Sequence, residues 1–288
     1  MEALLGNGPT TLQHNLEDWK LETIDSKKIL FYKEKNYIPK DSSLQQDLVR
    51  SYHDLETAGH PGELETYNLV KEHYWWPGLR SFVKGYVQGC NQCQQFKINR
   101  NPSHPASLPT GRVVSTRPFA HCLMDLITDL PPADGFDLIL VVVDQGLSKG
   151  IILILCNKTL TAEDTGQLLQ DNLYKRFGLP DKIISDRGPQ FASQGFKELL
   201  WLSGVKSALS TAYHPQTNGT TEWINQEIKT YLAIYCSSHS KTWTKSLTTL
   251  EFTHNNWQHA DQTKTPFELM FGDMCISTCE VQCTKGHY

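Results

Sequence analysis

Three short apolar runs in close succession limit what this chain can fold into: HCLMDLI (121–127), FDLILVVVD (136–144) and GIILILC (150–156). Each is far too short to cross a bilayer and reads as a buried strand. The pattern then alternates. AEDTGQLLQDNLYKRFG (162–178) carries helical spacing, with Thr161 as N-cap and Gly178 as its stop. DKIISD (181–186) is a strand, FKELLWLSG (196–204) a helix and VKSALS (205–210) a strand. STAYHPQTNGTTEWINQE (210–227) opens as a loop, with His214-Pro215 and Asn218-Gly219 as turn signals, and becomes a long helix ending near Cys236. The order β-β-β-α-β-α-β-α predicts an α/β domain with a mixed five-stranded sheet and helices on its faces.

Upstream the texture differs. Residues 1–40 form a small N-terminal extension in which ILFYKEKNYIP (29–39) reads as a hairpin. Residues 41–97 are helical, with apolar residues at helical spacing in SLQQDLVRSYHDL, ELETYNLVKEHY and GLRSFVKGYVQG. Residues 98–118 are rich in Pro and Ser and read as a linker. Residues 119–272 form the α/β domain, and 273–288 a disordered tail.

The helical segment holds His53, His60, Cys90 and Cys93. Two imidazoles and two thiolates make a closed tetrahedral set for structural Zn²⁺, which a small module needs for folding. The competing view is two surface histidines and two free thiols. The N-terminus lacks a basic region followed by an apolar run, so it is not a secretory signal. Eight cysteines in a chain that is not secreted favour metal over disulfides. His73 is a weaker substitute ligand, and Trp75 and Trp76 read as core.

Asp125 sits inside an otherwise apolar strand, where a carboxylate is costly unless something offsets it. Asp186 ends a strand before a Gly-Pro loop, a position that also suits an ordinary turn Asp. Asp144, at the end of the second strand, is the strongest rival. Glu222 lies off the apolar stripe Ile224, Ile228, Tyr231 or Leu232, and Tyr235, on the side of Gln226 and Lys229. Clustered carboxylates repel, and Mg²⁺ or Mn²⁺ reverses that. A pair of such ions would serve phosphoryl transfer.

The formal net charge is −4, yet no Asp or Glu occurs from His73 to Met124. That stretch carries Arg80, Lys84, Lys97, Arg100, Arg112 and Arg117, a basic strip suited to nucleic acid or a solvated linker.

HDLETAGHPG, YWWPGLRSFVKGYVQGCNQCQQFK, MDLITDLP, IISDRGPQF, STAYHPQTNGTTEWINQE and TPFELMFG, in this order, resemble the integrase of gypsy-type LTR retrotransposons, with the flavour of fungal elements. The resemblance covers roughly residues 30–272. It implies a His-His-Cys-Cys zinc module followed by a ribonuclease H-like core with an Asp, Asp-x35-Glu triad of Asp125, Asp186 and Glu222 holding Mg²⁺ or Mn²⁺. It implies a polynucleotidyl transferase that trims element DNA ends and joins the 3′-hydroxyl to target DNA. Asn225, Gln226 and Lys229 would line the DNA side of the Glu222 helix, and Lys97 and Arg100 would contact phosphates. DNA is the expected partner, with RNA as a second nucleic-acid partner, no membrane, and a homo-oligomer. The expected location is the nucleus after synthesis in the cytoplasm.

The loop departs from the family's usual HPQTDGQTER at Asn218, Thr220 and Trp223, and Gln145-Gly146-Leu147 precedes Ser148-Lys149 where an aromatic is usual. After FELMFG the family's C-terminal domain is not found. Cys275, Cys279 and Cys283 fall at four-residue steps without paired ligands, as in a frayed end. Two alternatives therefore stand beside the enzyme: a catalytically inactive integrase-derived nucleic-acid-binding remnant, and a cellular ribonuclease H-like nuclease, which leaves the zinc module unexplained.

Overall fold

The apolar runs pair into one sheet. The structure, a computed structural model, describes residues 16–24, 27–97, 115–186, 188–209, 215–236, 242–259 and 262–272. It divides into two units, Met1–Lys97 and Ile98–Tyr288.

In the first unit, β1 (Trp19–Ile24), β2 (Lys27–Tyr32) and β3 (Lys35–Tyr37) form an antiparallel meander. Lys33 and Glu34 both take left-handed φ (49° and 66°), so the β2–β3 connection is the tight turn that suits strand twist. Helices α1 (Ser42–His53) and α2 (Glu63–His73) follow, then the short strand β4 (Tyr74–Trp75), α3 (Leu79–Gln88) and α4 (Asn91–Phe96). Asp41 caps α1 by accepting from the amides of Ser43 and Leu44. β4 pairs in parallel with β3, so the N-terminal hairpin and the helices share one unit. His73 ends α2 rather than lying inside a helix.

In the second unit, β5 (His121–Ile127), β6 (Leu138–Asp144), β7 (Ile151–Cys156), β8 (Lys182–Ser185) and β9 (Lys206–Leu209) form a five-stranded sheet in the order β7-β6-β5-β8-β9. β5, β6 and β7 pair antiparallel, whereas β8 and β9 add in parallel, as the crossover helices require. Every residue of β6 is buried. Helix α5 (Ala162–Leu169) starts with a Thr161–Asp164 capping box and runs on through a π-helical turn, Gln170–Tyr174, to Gly178 at φ 79°. α6 (Pro189–Ala192) and α7 (Gln194–Leu202) lead into β9. α8 (Pro215–Cys236), α9 (Trp243–Asn255) and α10 (Pro266–Phe271) complete the unit.

Alternation along each strand produces two apolar layers. Cys122, Met124, Leu140 and Val142 pack with Leu169, Phe196 and Leu200 of α5 and α7. Leu123, Ile127, Val141 and Val143 pack on the other side with Ile224, Ile228, Trp243 and Leu247 of α8 and α9. The predicted stripe on α8 is buried at Ile224, Ile228, Tyr231 and Leu232. One expectation fails: α8 starts at Pro215 and runs straight through Asn218-Gly219. Proline at a helix start costs nothing, and a neighbouring turn signal yields to a helix anchored further along. Among the described residues no helix is long and apolar enough to cross a membrane.

Candidate metal centre and catalytic face

Four side chains from three places in the first unit converge. His53 ends α1, His60 lies in the following turn, and Cys90 and Cys93 flank the start of α4. Their ligand atoms all lie within 4.8 Å of one another. His53 Nε2 is 3.4 Å from Cys93 Sγ, and His60 Nδ1 is 3.4 Å from Cys90 Sγ and 3.7 Å from Cys93 Sγ. A tetrahedral zinc with ordinary bond lengths has ligand-to-ligand edges of roughly 3.3–3.8 Å. The four residues thus fit a structural zinc site.

The surroundings support these orientations. His53 Nδ1 meets Thr66 Oγ1 at 3.3 Å, which turns Nε2 toward Cys93. His60 takes a left-handed φ of 51°, a conformation a non-glycine residue holds only when its neighbours enforce it. Lys97 donates to the His60 carbonyl. Burial, helped by His60 and Lys97, pushes the His53 imidazole down to about 3, and burial also lowers His60, so both are held in the neutral ligating form. Burial pushes the Cys93 thiol up to about 12 without a cation, so a metal must displace its proton.

The second site lies where the sheet meets α8. Met124 and Ser185 are register partners on parallel β5 and β8, so Asp125 and Asp186, each one residue further, stand side by side. Neighbouring strands are about 4.8 Å apart. Leu123 and Ile127 put Asp125 on the α8 side, as Ile184 does for Asp186. Asn225 on α8 donates to Asp125 Oδ2 at 2.6 Å. Glu222 is exposed and lies one turn earlier on the same face of α8, a spacing of about 5–6 Å between Cβ atoms. Asp186 Oδ1 accepts from the Gly188 amide at 2.9 Å. Among the described residues, only the His/Cys set gathers its ligand atoms within 4.8 Å; the three carboxylates do not. Burial raises the Asp125 carboxyl and Asp186 adds to the rise, against the Leu126 amide, Asn225 and Lys229.

Asp144 is not a free rival. It is fully buried, and its oxygens accept from the amides of Gly146, Leu147 and Ser148 and from Ser148 Oγ, so it ties the β6–β7 turn. Of the expected nucleic-acid contacts, Lys229 is exposed, and Gln226 bonds within α8 to Thr230. The Asn225 amide is engaged with Asp125, and the Lys97 ammonium donates to the His60 carbonyl. Arg100 and the cysteines 275, 279 and 283 lie outside the described residues.

Sequence reasoning missed a buried pair behind this face. His254 Nδ1 meets Glu227 Oε1 at 3.0 Å and Nε2 meets the Lys149 carbonyl at 3.2 Å. Burial lowers this imidazole, yet the Glu227 charge and hydrogen bond, the Lys149 carbonyl and Glu251 outweigh it and raise it. Both nitrogens then donate, as in an imidazolium. The sequence signal was slight: a lone His in the last turn of a helix.

The integrase zinc-binding domain family matches residues 40–99 and the integrase core domain family matches residues 115–215. The Tf2-3 and Tf2-4 transposon polyproteins of Schizosaccharomyces pombe are each 35% identical over 261 residues, 89% of this chain. The chain spans 19% of the length of these relatives. Two solved structures are similar at a lower level. One is a simian T-cell lymphotropic virus intasome in complex with PP2A regulatory subunit B56 gamma (TM-score 0.47, 19% identity, 77% of this chain and 73% of that chain). The other is the catalytic core domain of BIV integrase (TM-score 0.43, 21% identity, 58% of this chain and 98% of that chain). With ligand geometry, sheet topology and both family matches in agreement, the chain belongs to the integrases, with a zinc-binding domain followed by an integrase core domain.

Proposed function

We propose that this chain is the integrase segment of a retrotransposon polyprotein, a polynucleotidyl transferase that processes 3′ ends of element DNA and joins them to target DNA. The observation that carries this reading is the register match of Asp125 and Asp186 beneath the α8 turn that holds Glu222 and Asn225. Asp125, Asp186 and Glu222 would hold Mg²⁺ or Mn²⁺, and the ion would supply activation of the attacking hydroxyl and charge stabilisation at the leaving oxygen. The raised Asp125 carboxyl fits this role, because a bound cation relieves the crowding of negative charge. Asn225 acts as a positioning residue: its amide holds Asp125 Oδ2 while the Leu126 amide holds Oδ1, so the carboxylate is fixed and each oxygen keeps a second lone pair for a ligand. Lys229, exposed beyond them on α8, attracts phosphate. His53, His60, Cys90 and Cys93 hold a structural Zn²⁺ that takes no part in the chemistry. The substrate is DNA, the working form a homo-oligomer, and the place of action the nucleus.

The test is nicking and strand transfer on short labelled duplexes with Mg²⁺ or Mn²⁺, including a branched substrate for the reverse reaction. Wild type should react and Asp186→Asn should fall to background. Silence of both, with folded and zinc-loaded protein, would reduce the chain to a nucleic-acid-binding remnant.

A further inference from the structure

A pocket of about 430 Å³ opens in the first unit, away from the zinc ligands. Its walls come from the end of β2, the last turn of α2, β4 and the start of α3. Two features make it unusual. Its floor is aromatic: Trp75 is half-buried and lies against Tyr32, ring centroids 4.0 Å apart and planes inclined at 33°. Its rim is cationic: Lys33, Lys35, Lys71 and Arg80 line it, and no acidic side chain does. Lys33 Nζ stands 5.5 Å from the Tyr32 ring centroid, and Lys71 Nζ and Arg80 Cζ stand 5.4 and 5.9 Å from that of Tyr67. Lys33 also has Asp18 at 3.6 Å, an exposed pairing that binds weakly.

Behind this wall the packing is tight. Trp76 lines the same pocket, is only 2% exposed, and its Nε1–H meets no acceptor among the described residues. A buried indole N–H ordinarily finds one. In addition, α3 starts in the pocket wall at Gly78 with no side-chain cap. The requirements are therefore a flat ring to stack and negative charge for several cations. A cationic ligand is repelled, and an aliphatic anion leaves the aromatic floor unused.

We propose that this pocket binds an unpaired nucleotide of a nucleic-acid strand, its base on Trp75 and its phosphates on Lys33, Lys71 and Arg80. Inside a duplex both faces of a base are stacked on its neighbours, so the site prefers single strands. The inference rests on the reading that this chain handles nucleic acid, and it adds a single-strand subsite remote in sequence from the acidic triad.

The experiment uses the full zinc-loaded chain and fluorescence anisotropy with labelled dodecathymidylate, dodecauridylate and a duplex of equal length. Either single strand should bind more tightly than the duplex, and whichever of the two wins names the sugar. Trp75→Leu should weaken single-strand binding by roughly five- to 150-fold, the range of one base stack. Should that variant misfold by circular dichroism, the exposed pair Lys33→Glu with Arg80→Glu serves instead; it should abolish the preference and flatten the salt dependence. Equal affinity for duplex, unchanged binding in the variants, or equal competition by a polyglutamate peptide would each overturn the proposal. Asp186→Asn should bind single strands as wild type does while failing to nick, so a failure of this site and a failure of the catalytic reading are told apart.

Discussion

The two units solve opposite problems with charge. The first gathers two imidazoles and two thiols into a buried cluster whose groups are held neutral, and its small core depends on what they bind. The second has a fully buried β6 between two packed layers, and the one charge on it, Asp144, is met by turn amides, so its fold needs no ion. Its carboxylates sit at the edge of that core and are kept apart and open. A closed set of ligands serves folding; an open, under-satisfied set serves a substrate.

Replacing one ligand should separate the two most sharply. Cys93→Ser should unfold the first unit, since structural zinc is worth on the order of 10 kcal/mol to such modules, while the second unit keeps its melting transition. Calorimetry would resolve two transitions in wild type and one in the variant. Concerted loss of both would break the comparison. Next comes the core that should not need metal. Leu140→Ala, at a fully buried position, should cost the second unit about 2–5 kcal/mol by denaturant titration and leave zinc content unchanged.

Much of this contrast was legible in the sequence. The strand runs, the His/Cys set and the position of Asp125 followed from periodicity, ligand chemistry and the cost of burying charge. What stayed hidden was set by tertiary neighbours. Nothing local distinguishes Asp144 from Asp125, both on apolar strands; only the turn amides reveal that Asp144 is spent on folding. Asn225 read as a DNA contact because its helical face was visible but its partner, one hundred residues away, was not. The strand at Tyr74–Trp75 is two residues long and exists only because β3 lies beside it.

The pH response should differ between the units too. In the zinc-stripped chain, His53 is neutral when folded and takes a proton more readily when unfolded, so the unfolded state binds more protons between about 6.5 and about 3. Protonation of His53 should therefore pull the stripped first unit further toward the unfolded state as pH drops through that window. His254 works the other way: its raised value makes its contribution complete below the ordinary histidine range, and that contribution is lost as pH rises through the folded value. Helix content of the stripped chain across pH checks the first sign, and thermal melts of the second unit check the other.

The smallest effect is the most diagnostic. Because folding raises the Asp125 carboxyl, its ionisation at neutral pH costs stability, and Asp125→Asn should raise the melting temperature of the second unit slightly while abolishing strand transfer. Added Mg²⁺ should then raise the wild-type melting temperature and leave the variant unmoved. A destabilised variant would mean that the Asn225 contact outweighs the charge.

The pairing of β3 with β4 joins Asn36 to Tyr74 and so encloses α1 and α2 in a ring of chain that contains His53 and His60. Cys90 and Cys93 grip that ring from outside it. A protease that cut the exposed turn at Leu55 would leave two pieces still buckled together, by the strand ladder at one end and the metal at the other. Such a nicked module should stay whole through gel filtration and fall apart on adding a chelator.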